Sequence, residues 1–181
     1  MRTLILTAIL STCVSIQAFA QSEINPPAKH NKAIFIEGLG NGLGLTANFD
    51  MRFKKGVQDG FGFRAGIGGL HLGSADYDGG TIQNKLLTFP VTVNYLVGDK
   101  RSAIEAGIGI TPIYATVDTY SPTKPKLVDE SGWSSSGFLN LGYRLQPLNN
   151  GFMLRVDWTP AFNSTGFSPA WFGLSLGYGF K

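Results

Sequence analysis

The stretch Leu43-Gly44-Leu45-Thr46-Ala47-Asn48-Phe49-Asp50-Met51-Arg52-Phe53 decides the fold. Its odd positions carry Leu43, Leu45, Ala47, Phe49, Met51 and Phe53; glycine and polar residues fill the even ones. Only a strand sends alternate side chains to opposite faces, so the pattern excludes a helix here. Working outward, the same period-2 pattern predicts eight strands near 32–38, 43–53, 60–70, 85–97, 102–115, 135–146, 151–161 and 170–180. The apolar faces include Phe61, Phe63, Ala65 and Ile67, then Leu87 to Val97, then Ile104 to Ile110, and finally Phe172 to Phe180. The first strand is ambiguous, because Ile34 and Ile36 oppose Phe35 and Glu37. Three prolines, Pro90, Pro112 and Pro160, fall within strands, where each predicts a bulge or a strand end.

The composition suits this pattern. Of 181 residues, 43% are hydrophobic and only 15% charged, which excludes a disordered chain. A net charge of +3 gives no reason to expect nucleic acid as a partner. One cysteine, Cys13, rules out a disulfide framework. With two histidines besides, nothing predicts a metal or a cofactor.

The ends assign a compartment. A basic start at Met1-Arg2, an apolar run from Leu4 to Ile16, and Ala18-Phe19-Ala20 before Gln21 match a secretory signal peptide over 1–20. A lipoprotein cut before Cys13 is the weaker alternative. Residues 21–32, with Pro26-Pro27, read as a flexible periplasmic lead-in, and 33–181 as the barrel.

Alternation alone does not say which face is inside. A soluble lipocalin-like barrel would show Lys, Glu and Thr on its polar face. Here that face is rich in glycine, including Gly62, Gly66, Gly107, Gly142 and Gly177. Glycine in a strand needs a reason, and the crowded lumen of an eight-stranded barrel supplies one. The charges agree: Glu37, Asp50, Glu105 and Asp157 stand against Arg52, Arg64, Arg144 and Arg155. Arginine is the residue suited to buried pairing with carboxylates. The expectation is an all-β fold: an eight-stranded antiparallel up-and-down transmembrane β-barrel with a lumen ion-pair network. Arg64 and Asp50, on adjacent strands, are the preferred pair.

Loop lengths orient it. The second, fourth and sixth connections are short, whereas those over 71–84 and 116–134 are long. Short periplasmic turns and long extracellular loops follow this parity in outer-membrane barrels. The first connection, Gly38–Gly42, breaks it. Phe53, Phe61, Tyr95, Tyr143, Phe152 and Phe180 gather at the predicted periplasmic rim as interface aromatics, and Trp158 stands at an outer strand end. Trp133 and Trp171 read as anchors of the same kind.

The ending Trp171-Phe172-Gly173-Leu174-Ser175-Leu176-Gly177-Tyr178-Gly179-Phe180 resembles that of small outer-membrane barrels of the OmpA/OmpX type. Phe89-Pro90-Val91-Thr92-Val93-Asn94-Tyr95-Leu96 with Glu105-Ala106-Gly107-Ile108-Gly109 resembles the outer membrane β-barrel proteins of Bacteroidetes. The resemblance implies a Gram-negative outer-membrane location and handling by the barrel-assembly machinery. Lys181, after the terminal aromatic, departs from the pattern.

No motif carries chemistry. Gly38 to Gly44 lacks the Lys-Ser/Thr of a phosphate loop and reads as a hairpin turn. Asp76-Tyr77-Asp78-Gly79-Gly80 has too few ligands for calcium and reads as a solvated turn. His71, Ser74 and Asp76 sit close in sequence, without a base shown within reach of a nucleophile. The reading is a non-enzymatic monomer with a plugged lumen. It acts as a structural or surface-interaction protein through its loops, toward a partner the sequence does not identify. Outer-membrane lipids are the other partners. A lipid A-modifying enzyme and a narrow channel are the alternatives.

Overall fold

A computed structural model describes residues 31–54, 57–77, 80–98, 100–120, 127–147 and 150–181. The expected signal peptide and most of the lead-in lie outside these. The strands are β1 (Lys32–Leu39), β2 (Gly44–Arg52), β3 (Gly60–Tyr77), β4 (Gly80–Thr88), β5 (Val91–Val97), β6 (Ser102–Tyr120), β7 (Leu127–Leu145), β8 (Gly151–Trp158), β9 (Ala161–Asn163), β10 (Gly166–Ser168) and β11 (Phe172–Phe180). They form eight antiparallel staves, because β4 continues into β5, β8 into β9, and β10 into β11. β1 pairs with both β2 and β11, so the ring is closed. Closure removes the free edges that an open sheet would leave in an apolar solvent.

The stagger follows from the registers. From Lys32 the ladders lead through Met51, Phe63, Val93, Ile108, Leu139 and Pro160. Continuing the β8–β11 and β11–β1 registers rejoins the first stave at position 42, ten residues on. Such a shear tilts the staves against the barrel axis, as closure requires.

The barrel is inside-out. Ile34 and Ile36 are 52% and 56% exposed, while Phe35 and Glu37 are 4% and 0% exposed, which settles the ambiguous first strand. On every stave the apolar set faces outward and the polar set inward. The few buried apolar side chains, among them Ala33, Phe35 and Met153, pack inside the lumen. Along β7, Trp133 and Tyr143 lie ten residues apart on the outer face. At about 3.3 Å per residue and a tilt near 40°, that is about 25 Å of height, the band a bilayer needs.

Two expectations change. The connections over 71–84 and 116–134 are largely strand: β3 and β4 pair out to Tyr77 and Gly80, and β6 and β7 out to Tyr120 and Leu127. Beyond the membrane a hairpin has no apolar side to display, so alternation does not reveal it. β1 begins at Lys32, where the first strand was expected. Pro90 and Pro160 fall at strand ends, as expected, between β4 and β5 and between β8 and β9, whereas Pro112 lies inside β6 without a bulge. Gly66 still donates to Pro90 O at 2.9 Å, Phe89 to Pro112 O at 3.0 Å, and Leu139 to Pro160 O at 3.1 Å. The registers match on both sides of each proline, so each forfeits one bond of its pair and keeps the other.

Candidate functional site: the lumen

The inward alternation brings Glu37, Asp50, Arg52, Arg64, Glu105, Arg144, Arg155 and Asp157 into one buried cluster. Glu105 is its centre. It accepts from Arg64, from Arg155 Nη1 at 3.1 Å and from Asn94 Nδ2 at 3.0 Å, and its Oε2 lies 2.9 Å from Arg144 Nη2. Asp50 accepts from Arg52 Nη2 at 2.6 Å, Arg144 Nη1 at 3.2 Å and Asn94 Nδ2 at 2.8 Å. Arg64 and Asp50 are register partners, yet their ion pair is long at 3.8 Å, because the Arg64 guanidinium turns to Glu105. Arg155 donates to Glu37 at 2.5 Å and reaches Asp157 at 2.8 Å. Two guanidiniums approach the Phe35 ring, Arg155 at 4.9 Å and Arg64 at 5.2 Å from its centre. A delocalised cation suits that contact better than an ammonium.

Four acids and four arginines balance, but not every atom is matched. Glu37 Oε2 and Arg64 Nη1 have no hydrogen-bond partner among the described residues. A network of this kind specifies one packing more than it stabilises it. Glycine makes the room: a Cβ on Gly142 would collide with the Asp157 carboxylate, and one on Gly62 with the Arg52 guanidinium.

At the end bearing the long hairpins, the first connection folds into the barrel. Gly40–Gly42 form one 3-10 turn, and all three residues are buried. Asn41 donates to Thr92 at 2.9 Å and exchanges two bonds with Asn140, while Thr111 donates to Asn41 O at 2.7 Å. Thr88 donates to Gly42 O at 2.9 Å. Trp171, expected as an interface anchor, donates its indole N–H to Gly40 O at 2.7 Å and is half-buried. The turn is bounded by Leu39 and Leu43, both at positive φ (62° and 64°). Leu43 is in the left-handed helical region and Leu39 in a sparser one, and such conformations cost an ordinary residue about 1–3 kcal/mol. The buried bonds of Asn41 offset it.

At the opposite end Gln58 donates to Pro147 O at 2.8 Å and Gln146 to Lys100 O at 3.3 Å. A cavity of about 10 Å³ remains there beside Asp50, Arg52 and Arg144. It is close to the smallest space that holds one water.

Phe53, Phe61, Tyr95, Tyr143 and Phe152 are exposed on the outer face near the end with tight connections; Phe180 is half-buried. Phe61 and Tyr95 meet edge to face, 4.7 Å between ring centres. At the other rim Trp133 stacks on Phe89 and leans on Tyr114, and Trp158 is exposed. His71 is exposed and faces Lys85 in the ladder. Ser74 lies beyond a register shift in β3; Asp78 and Gly79 fall outside the described residues.

Sequence reasoning passed over Asn41, Asn94 and Asn140, and named Trp171 only as an anchor. Asn94 and Asn140 were legible: each sits at an inward position between outward apolar neighbours. Asn41 lies in a turn, where alternation carries no signal.

No protein-family model and no curated protein matches the chain. Solved structures do. Ail, the attachment invasion locus protein of Yersinia pestis, was crystallised with the heparin analogue sucrose octasulfate. It aligns with a TM-score of 0.50 at 13% identity, over 83% of this chain and 93% of that one. The N-terminal β-barrel domain of Pseudomonas aeruginosa OprF aligns at 0.48 and 11% identity, over 84% and 99%. The likeness to Ail is one of fold, and with the closed eight-stave ring it gives this chain the architecture of a small outer-membrane β-barrel.

Proposed function

We propose that the chain is an integral protein of the bacterial outer membrane with a plugged lumen. On this reading it acts without catalysis, as a structural or surface-interaction protein, through the hairpins at its outer end. The observation that carries it is the buried eight-charge cluster closed above by the Gly40–Gly42 turn. Eight staves enclose a space that side chains fill, and this lumen is filled by charge pairs rather than by a ligand cavity. The apolar outer face supports insertion, because a surface of Ile, Leu, Val and Phe on one continuous band requires lipid. Its partners are then outer-membrane lipids, the barrel-assembly machinery that reads the last strand, and a surface partner met by the hairpins. One chain closes the ring by itself, so a monomer is a complete barrel.

The test is electrical. Protein folded in detergent should run as a compact form that shifts on heating. In planar bilayers it should give no stable single-channel steps. Reproducible ion-selective steps that change with Arg64→Ala would replace this reading with a narrow channel.

A further inference from the structure

On the outer face, beside β7, lies a groove of about 790 Å³. Its floor is Ile108 and Ile110 of β6 with Gly137 of β7; Trp133 and Phe162 stand on either side. It exists because β9 pairs with β7 only at Gly137 and Phe138 before the β9–β10 hairpin turns away. Gly137 leaves the depression, and the Phe162 ring lies where a Cβ would stand.

The departure of β9 also frees a stretch of backbone. Leu139 donates toward β8/β9, to Pro160 O. Residues two apart point the same way in an antiparallel strand, so Ser135 and Trp133 direct their N–H and C=O to that side too. No described residue pairs with them there. Unpaired backbone at lipid depth is costly, so this edge calls for a hydrogen-bonding occupant.

Depth identifies the occupant. Each pair of residues descends about 5 Å along the axis. Below the aromatic row of Trp133 and Tyr114, Ser135 lies about 5 Å down, Gly137 and Ile110 about 10 Å, and Ile108 with its partner Leu139 about 15 Å. The floor thus runs through one leaflet of a bilayer about 30 Å thick. The rim residues Ser134, Ser135, Asn163 and Ser164 carry hydroxyls and an amide but no charge.

We infer that this groove binds one lipid of the surrounding leaflet, with an acyl chain on Ile108 and Ile110 and an uncharged, hydroxyl-bearing head on the Trp133–Ser135 edge. A saccharide head fits this rim better than a choline phosphate, because donors and acceptors are needed and none of the described lining residues is charged. The inference rests on the membrane reading above.

The experiment uses full-length protein folded in detergent with equal amounts of two probes of identical acyl chains, a diglycosyl diacylglycerol and a phosphatidylcholine. Native mass spectrometry should show the glycosyl lipid retained about tenfold over the choline lipid. Ile110→Trp, which fills the floor, should abolish the preference. Ile36→Trp, on a distant part of the outer face, should leave it intact. Chain-brominated glycosyl lipid should quench the part of the wild-type fluorescence that Trp133→Phe removes, a readout that needs no substitution in the floor. Equal retention of the two probes, equal loss in both variants, or no quenching of Trp133 would overturn the inference. Heat-shifted migration of each sample separates the two failures: a folded barrel without preference sinks only the groove, and protein that never folds into detergent sinks the membrane reading itself.

Discussion

Asn41 and Asn140 exchange two hydrogen bonds through their carboxamides, at 3.0 and 2.9 Å, across 99 positions of sequence. The first is in the buried turn after β1, and the second is on β7 at the far wall. The pair therefore ties the turn to the barrel. Each buried bond contributes about 1 kcal/mol, and an orphaned partner costs about 1–3. Asn41→Ala should lower stability to urea in lipid vesicles by about 2–3 kcal/mol. A double-mutant cycle with Asn140→Ala should give a coupling of at least about 1 kcal/mol. Additive losses would mean the two amides do not hold each other.

Leu39 is half-exposed at φ 62°, ψ −117°, a region that glycine occupies without steric cost. Leu39→Gly should stabilise the folded barrel by about 0.5–1 kcal/mol, after the added freedom of the unfolded chain is set against the strain removed. Leu39→Val should destabilise it, since a β-branched side chain tolerates positive φ poorly. A lower urea midpoint for the glycine variant would show that the strain is not there.

The contrast between Glu105 and Asn41 shows what alternation can and cannot carry. Glu105 lies between Ile104 and Ala106, so its inward direction follows from period two alone, and the same holds for Arg64 and Arg155. Which arginine meets which acid depends on the stagger of ten residues, which no local pattern encodes. Register neighbours Arg64 and Asp50 end up only weakly paired for that reason. Asn41 lies between two glycines, where chain direction is set by backbone strain at Leu39 and Leu43 rather than by alternation. The outer hairpins were hidden for a different reason: water on both faces removes the pressure to alternate.

Gly142 and Gly132 both belong to β7 and should respond oppositely to valine. At Gly142 an added Cβ meets Asp157 and the Val156 carbonyl, whereas at Gly132 nothing lies within 4 Å. Gly142→Val should cost at least about 1–3 kcal/mol and reduce the heat-shifted fraction after refolding. Gly132→Val should be neutral or favourable, because valine suits a strand. Equal behaviour of the two would mean the lumen has slack.

The two ends can be told apart chemically. Glu130 is exposed on the β6–β7 hairpin, and Lys100 is exposed at a tight connection. In intact cells a membrane-impermeant maleimide should label Glu130→Cys and should reach Lys100→Cys only after the outer membrane is opened. The reverse result would invert the orientation taken from loop lengths.

Arg155 serves three carboxylates at once, with Glu37 at 2.5 Å, Asp157 at 2.8 Å and Glu105 at 3.1 Å. Arg155→Met keeps the stem and removes the charge, leaving those acids with one cation fewer in a site without exposure. The loss should be about 3–5 kcal/mol if water does not enter. Arg155→Lys restores the charge but not the fork, and an ammonium cannot hold the three directions together, so only part of the loss should return. Salt separates a dry network from a wet one. Mobile ions screen exposed charges within about 10 Å at 0.1 M, and screen buried pairs far less. The difference between wild type and Arg155→Met should therefore stay constant when urea titrations are repeated from low to high ionic strength. A difference that shrinks steadily with salt would show that water and ions reach the cluster, and the closed lumen would have to be given up.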